Sequence, residues 1–130
     1  MDRSVRNGNY AIAVWMIKPG REEEFLSAWK DFATWTSESG AGALEGTLVQ
    51  DVQEPRRFFC FWPFVDEPGI NKWKGDAKHR EFMMRMRAYC ESHTPAICRT
   101  VGYVEGAGMP TDWSPSEGRS SRSAGQAGSR

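Results

Sequence analysis

Arg57-Phe58-Phe59-Cys60-Phe61-Trp62-Pro63-Phe64 is apolar at almost every position after its first residue. Aromatic side chains suit the pleated, half-buried surface of a strand, and successive strand residues point to opposite faces. A strand of this composition needs cover on both faces. One layer of helices covers one face, so a second sheet, from a partner subunit, is expected on the other.

The segments around it set the topology. Upstream, Leu44 to Val52 alternates weakly and reads as a strand, joined through Gln53-Glu54-Pro55-Arg56 into an antiparallel hairpin. Farther upstream, Tyr10 to Ile17 is a strand that ends at the turn Lys18-Pro19-Gly20. Glu22, Glu23 and Glu24 then open a helix, where negative charge suits the positive end of the helix dipole. Phe25, Trp29, Phe32 and Ala33 share one face of it, and Ser39-Gly40, with Gly42 beyond, stops it. Downstream, Asp66 caps a short helix that has Pro68 in its first turn, carries Ile70 and Trp73, and ends at Lys74-Gly75. Asp76 caps a second segment, with His79, Phe82, Met83, Met86, Tyr89 and Cys90 on one stripe and Arg80, Glu81, Arg85, Arg87 and Glu91 largely on the other. Pro95 breaks that helix, His93 sits at its end, and Ala96 to Glu105 reads as the fourth strand. The order β-α-β-β-α-β is the split βαβ arrangement, so the expected class is α+β, ferredoxin-like, with an antiparallel sheet, helices on one face and a homodimer across the other.

Composition limits the partners. Lys+Arg and Asp+Glu both number 17, which favours neither nucleic acid nor an anionic membrane. Three cysteines, Cys60, Cys90 and Cys98, show no C-x-x-C spacing and leave one over if two pair. They read as reduced thiols of a cytoplasmic protein, and two histidines are too few to make a metal site the expectation. The run Tyr10 to Ile17 is too short for a signal sequence or a bilayer span. The expected division is an N-terminal arm over 1–9, one domain over 10–106 and a disordered Gly/Ser/Arg-rich tail over 107–130, in which Trp113 stands out.

Three stretches carry a resemblance: Lys18-Pro19-Gly20-Arg21-Glu22-Glu23-Glu24-Phe25, Gln50-Asp51-Val52-Gln53-Glu54-Pro55-Arg56-Arg57-Phe58, and Ile70 to Phe82. In their order and spacing they resemble the antibiotic biosynthesis monooxygenase family. The resemblance implies a dimeric α/β barrel. It also implies oxygen insertion into activated aromatics with no metal, flavin or haem, the substrate itself reducing O₂ once deprotonated. Some members degrade haem with a histidine farther beyond the helix tryptophan than His79 lies beyond Trp73. Met83 falls nearer that place, so no haem ligand is carried to His79, and no cofactor is expected.

The candidate catalytic residues are Trp73, an aromatic wall, and His79, whose imidazole ordinarily titrates near physiological pH and suits proton abstraction from an acidic phenol. Trp29, Phe32, Phe61, Phe82, Met83 and Met86 are the candidate lining for a small aromatic ligand; each is equally suited to ordinary core. Arg57 and Arg99 are weaker candidates for holding an anion. The alternative function is a barrel that binds a small molecule without catalysis. An RNA-recognition reading of Arg57, Phe59, Phe61 and Phe64 is disfavoured by Phe58, which stands where that motif carries glycine, and by the neutral charge.

Overall fold

The computed structural model describes residues 8–106; the expected tail and most of the expected arm lie outside them. The elements are β1 (Asn9–Ile17), α1 (Glu22–Glu38), β2 (Thr47–Gln50), β3 (Arg57–Phe64), α2 (Glu67–Gly75), α3 (Ala77–Arg87) and β4 (Cys90–Arg99). The strands form one antiparallel sheet in the order β2-β3-β1-β4. This is the ferredoxin-like α+β arrangement expected, with the second helical segment split in two.

Strand alternation divides the sheet into two faces. Ala11, Ala13, Trp15 and Ile17 of β1 and Phe58, Cys60, Trp62 and Phe64 of β3 are buried. Against them pack Phe25, Ala28 and Phe32 of α1, spaced three and four residues apart, and Ile70, Trp73, Met83 and Met86 of α2 and α3. Each large apolar side chain buried this way contributes roughly 1.5–3 kcal/mol. On the opposite face Ile12, Val14, Met16 and Phe59 are half-buried, and Phe61 and Val49 are exposed at 38% and 40%.

Two boundaries differ from the sequence reading. β2 is four residues long, not the whole of Leu44 to Val52. At its start the chain bends around the Trp62 indole, whose N–H donates to the Leu44 carbonyl at 2.8 Å. Gly46 passes so close that a Cβ there would lie 2.5 Å from the ring. At its end the Asp51 N–H still donates to the Arg57 carbonyl, but its carboxylate makes the turn, accepting from the Gln53 N–H and pairing with Arg57 at 2.9 Å.

The second correction is larger. The fourth strand is Cys90–Arg99, not Ala96 to Glu105, and the helix before it ends at Arg87. Lys18 N–H donates to the Tyr89 carbonyl at 2.9 Å and Ile17 pairs with Cys90, so pairing with β1 captures the chain immediately after the helix. Pro95 lies inside the strand opposite Ala13. β4 has one neighbour, and an edge strand tolerates a residue without an N–H.

Gly69, in the first turn of α2, presses against the loop after α1: a Cβ there would stand 2.1 Å from the Ala41 carbonyl oxygen. A Cβ on Gly75, at the other end of the same helix, meets nothing within 4 Å. Alanine ordinarily stabilises a helix relative to glycine by about 1 kcal/mol. The two substitutions therefore separate propensity from packing. In urea unfolding, Gly75→Ala is expected to be neutral or stabilising, and Gly69→Ala to destabilise by about 1–3 kcal/mol.

Candidate active site

Asp76 is the corner on which the site turns. It is the last cap of α2, its N–H donating to the Trp73 carbonyl, and the first cap of α3, its carboxylate accepting from the Lys78 N–H at 2.8 Å. The break sets Trp73 and His79 edge to face, ring centres 4.5 Å apart at 75°. Phe32 of α1 touches both rings at 5.7 Å. The buried Trp73 indole N–H donates to the Thr36 hydroxyl at 3.0 Å, which fixes the indole plane. Among the described residues none hydrogen-bonds the ring nitrogens of His79.

Beneath this corner lies a cavity of about 260 Å³. It runs between α2–α3 and the inner face of β1 and β4. Arg87, at the end of α3, reaches β4 at His93, and beyond that contact the inner side of the edge strand is open. His93, Pro95 and Ile97 line it there, and Ala11 and Ala13 of β1 leave the floor low. Trp15, Cys60 and Trp62 complete the apolar base, and Lys74 and Arg87 stand at the helical side.

Of the residues expected at a ligand site, Trp73, His79, Phe32 and Met83 line this cavity together. Trp29, Phe61, Phe82 and Met86 do not. Trp29 lies beside a separate groove with Leu26 and Leu48. Phe61 points to the opposite sheet face, where its alternation with Cys60 and Trp62 sends it. Phe82 stacks with Phe32 and Trp35 between α1 and α3, and Met86 is fully buried core. Arg57 is engaged by Asp51 in the β2–β3 turn, and Arg99 lies at the far end of β4; neither reaches the cavity.

His93, read as a helix-end residue, was missed as a site residue because the helical stripe was carried through Cys90. It lies in β4 on the cavity wall, stacked on Trp15 at 3.8 Å and 16°. The alternation His93, Pro95, Ile97 was the signal that could have revealed it.

The sequence matches the antibiotic biosynthesis monooxygenase family over residues 10–85, more than half of the chain. The chain belongs to the antibiotic biosynthesis monooxygenase family. No curated protein sequence matches it. Among solved structures, it is similar to a conserved protein from Methanosarcina mazei Go1, with a TM-score of 0.67 at 15% identity, covering 74% of this chain and 95% of that one. SnoaB, a cofactor-independent oxygenase from Streptomyces nogalater, gives 0.66 at 11%, covering 79% and 99%. A protein from Shewanella oneidensis gives 0.62 at 22%, covering 72% and 91%. At these identities the structural likenesses establish the fold. Among the described residues of this family member, no helix is long and apolar enough to cross a membrane, and no three metal-ligating side chains converge.

The electrostatics of the family member's cavity are one-sided. Burial pulls the His79 imidazole down to about 4, and the Lys74 and Arg87 charges add to the effect, against a weaker opposing pull from Asp76. Burial, then Arg87, then His79 pull His93 down to about 4 as well. Both rings are therefore neutral at pH 7, and His79 does not titrate near physiological pH as the sequence led us to expect. The Cys60 thiol on the cavity floor is pushed up by burial and stays protonated.

The sign of the pH effect follows. An ordinary unfolded histidine titrates near 6.5. Between about 4 and 6.5 the unfolded chain therefore binds more protons at these positions than the native one. Their contribution to stability is complete above about 6.5 and is lost as pH falls through 4. Thermal melts from pH 7 to pH 4 are expected to show a falling Tm, with a shallower fall in His79→Gln and His93→Gln.

Proposed function

We propose that this protein is a cofactor-independent monooxygenase that oxidises a small phenolic or anthrone-like aromatic with O₂, acting as a cytoplasmic homodimer. The observation that carries the reading is the cavity. It is aromatic and aliphatic over most of its wall, and it holds a neutral, unbonded imidazole edge-on to the Trp73 indole. Free thiols at Cys60, Cys90 and Cys98 agree with a reducing compartment.

The chemistry uses electrons from the substrate. A phenolate gives one electron to O₂, and superoxide joins the resulting radical at a ring carbon. The hydroperoxide then loses water to leave a carbonyl. The net change is phenol plus O₂ to quinone plus water. His79 is a weak base for this work: full proton transfer from a phenol near 10 to an imidazole near 4 is uphill by about 8 kcal/mol. Lys74 and Arg87 reduce that cost, because the charges that disfavour imidazolium favour phenolate, whereas burial, the larger influence on His79, disfavours both ions. His79 thus serves as acceptor and orienting partner for the hydroxyl, Trp73 and Met83 as the faces against the ring, and the apolar lining as the means of excluding water.

Oxygen-electrode measurements with dihydroxyaromatic and anthrone substrates test the reading. Uptake by the wild type is expected, falling about 10²-fold or more in His79→Ala and several-fold in Trp73→Phe. In Ala13→Leu, which fills the floor, it is expected to vanish. Unchanged rates in all three variants would remove the site assignment. Absence of uptake with any substrate, with ligand binding retained, would leave the non-catalytic binder.

The dimer rests on the outer sheet face, where Ile12, Val14, Phe59 and Phe61 form an apolar surface. Sedimentation at micromolar concentration is expected to give twice the chain mass, and Phe61→Asp to give folded monomer. A well-folded wild-type monomer would overturn the dimer.

A further inference from the structure

The cavity contains two positive charges whose compensation differs from that of their neighbours. Arg21, Arg56, Arg57 and Arg85 each pair with a carboxylate. Arg87 does not: its Nε donates to His93 Nδ1 at 3.1 Å, and among the described residues its terminal guanidinium nitrogens have no partner. Lys74 likewise has no carboxylate partner among them. No Asp or Glu lines the cavity. Of the acidic side chains nearest in sequence, Glu91 pairs with Arg56 at 3.2 Å and Asp76 accepts from the Lys78 N–H.

The bond from Arg87 also fixes His93. With Nδ1 accepting, the proton of the neutral ring sits on Nε2. The ring is stacked on the Trp15 indole and bonded at its edge by Arg87, so the guanidinium is anchored by one nitrogen at the cavity wall while its other two remain available. Two parallel N–H donors in a plane match a carboxylate better than any neutral oxygen. The volume, about 260 Å³, lies at the small end for ligand sites and suits a small fused ring system.

We propose that the cavity takes an aromatic acid, its rings against Trp73 and Met83 and its carboxylate on the Arg87 guanidinium, with His93 as the positioning residue that holds Arg87 in place. This rests on the reading of the cavity as the ligand site and narrows the substrate class within it: the oxidised ring carries a carboxylate in addition to its hydroxyl.

Anaerobic binding separates this from turnover. The probes are 2-naphthoate and its neutral counterpart 2-naphthamide, titrated by quenching of tryptophan fluorescence. In the wild type, naphthoate is expected to bind about tenfold more tightly than naphthamide. Arg87→Gln is expected to bring the two within twofold, by weakening naphthoate far more than naphthamide. His93→Phe retains a ring to stack on Trp15 but offers Arg87 no acceptor, and is expected to lose the preference with Tm preserved. His93→Asn, which retains an acceptor, is expected to restore much of it. Equal affinities in the wild type, equal weakening of both probes in Arg87→Gln, or full preference in His93→Phe would each overturn the proposal while leaving the cavity as a ligand site. If neither probe binds, the cavity itself is excluded for aromatics of this size, and the aromatic-acid assignment falls with it. Oxygen uptake, measured independently, reports on the monooxygenase reading whatever the binding result.

Discussion

The hydrogen bond from the buried Trp73 indole to the Thr36 hydroxyl is the contact on which the arrangement of the helical layer depends. Thr36 is the one buried polar side chain among the described residues. An indole N–H buried without an acceptor costs about 1–3 kcal/mol; the Trp15 and Trp29 indoles are buried that way among the described residues, whereas Trp73 is satisfied and ties α2 to α1. Phe32, Trp62 and Phe64 then close around the indole. Asp76, by its own caps, ends α2 and starts α3 just beyond the anchored indole. It thereby decides that His79 meets the edge of the same indole. The roof of the cavity is a consequence of one satisfied donor.

The floor is a consequence of what is missing. Ala11 and Ala13 stand on β1 between the large side chains of its neighbours, and α3 reaches β4 only near its start, at Cys90 and His93. A well-packed interior leaves few spaces larger than a water molecule, so the low floor and the open edge together account for a hollow of this size beside so dense an aromatic cluster. Burial is the main reason both histidines are weak bases, and the cations at the cavity wall act in the same direction. Those charges favour an anion over a cation beside them.

Much of the fold was legible in the chain. The run from Phe58 to Phe64, the glutamates before Phe25, and the caps at Asp66 and Asp76 report local rules, strand alternation and helix-end chemistry, and the structure places each element accordingly. The errors came where a partner element intervened. The stripe through Tyr89 and Cys90 reads as helix until β1 takes the Tyr89 carbonyl and turns those residues into strand. β2 reads as nine residues until the Trp62 ring occupies the space beside Gly46.

The site divides in the same way. Trp73, His79, Phe32 and Met83 were recognisable because helical spacing places them on faces directed at the sheet. The exclusion of Trp29, Phe61, Phe82 and Met86 was not, since an apolar residue lines a hollow or fills it depending on what lies across from it. By itself the sequence determined the order of the elements, the inward and outward faces of each strand and the aromatic character of the interior, because periodicity and capping act within a few residues. Tertiary structure alone decided that His93 and Arg87 join His79 around one cavity. They come from separate elements, and the distance between them is set by sheet order and helix register rather than by spacing along the chain.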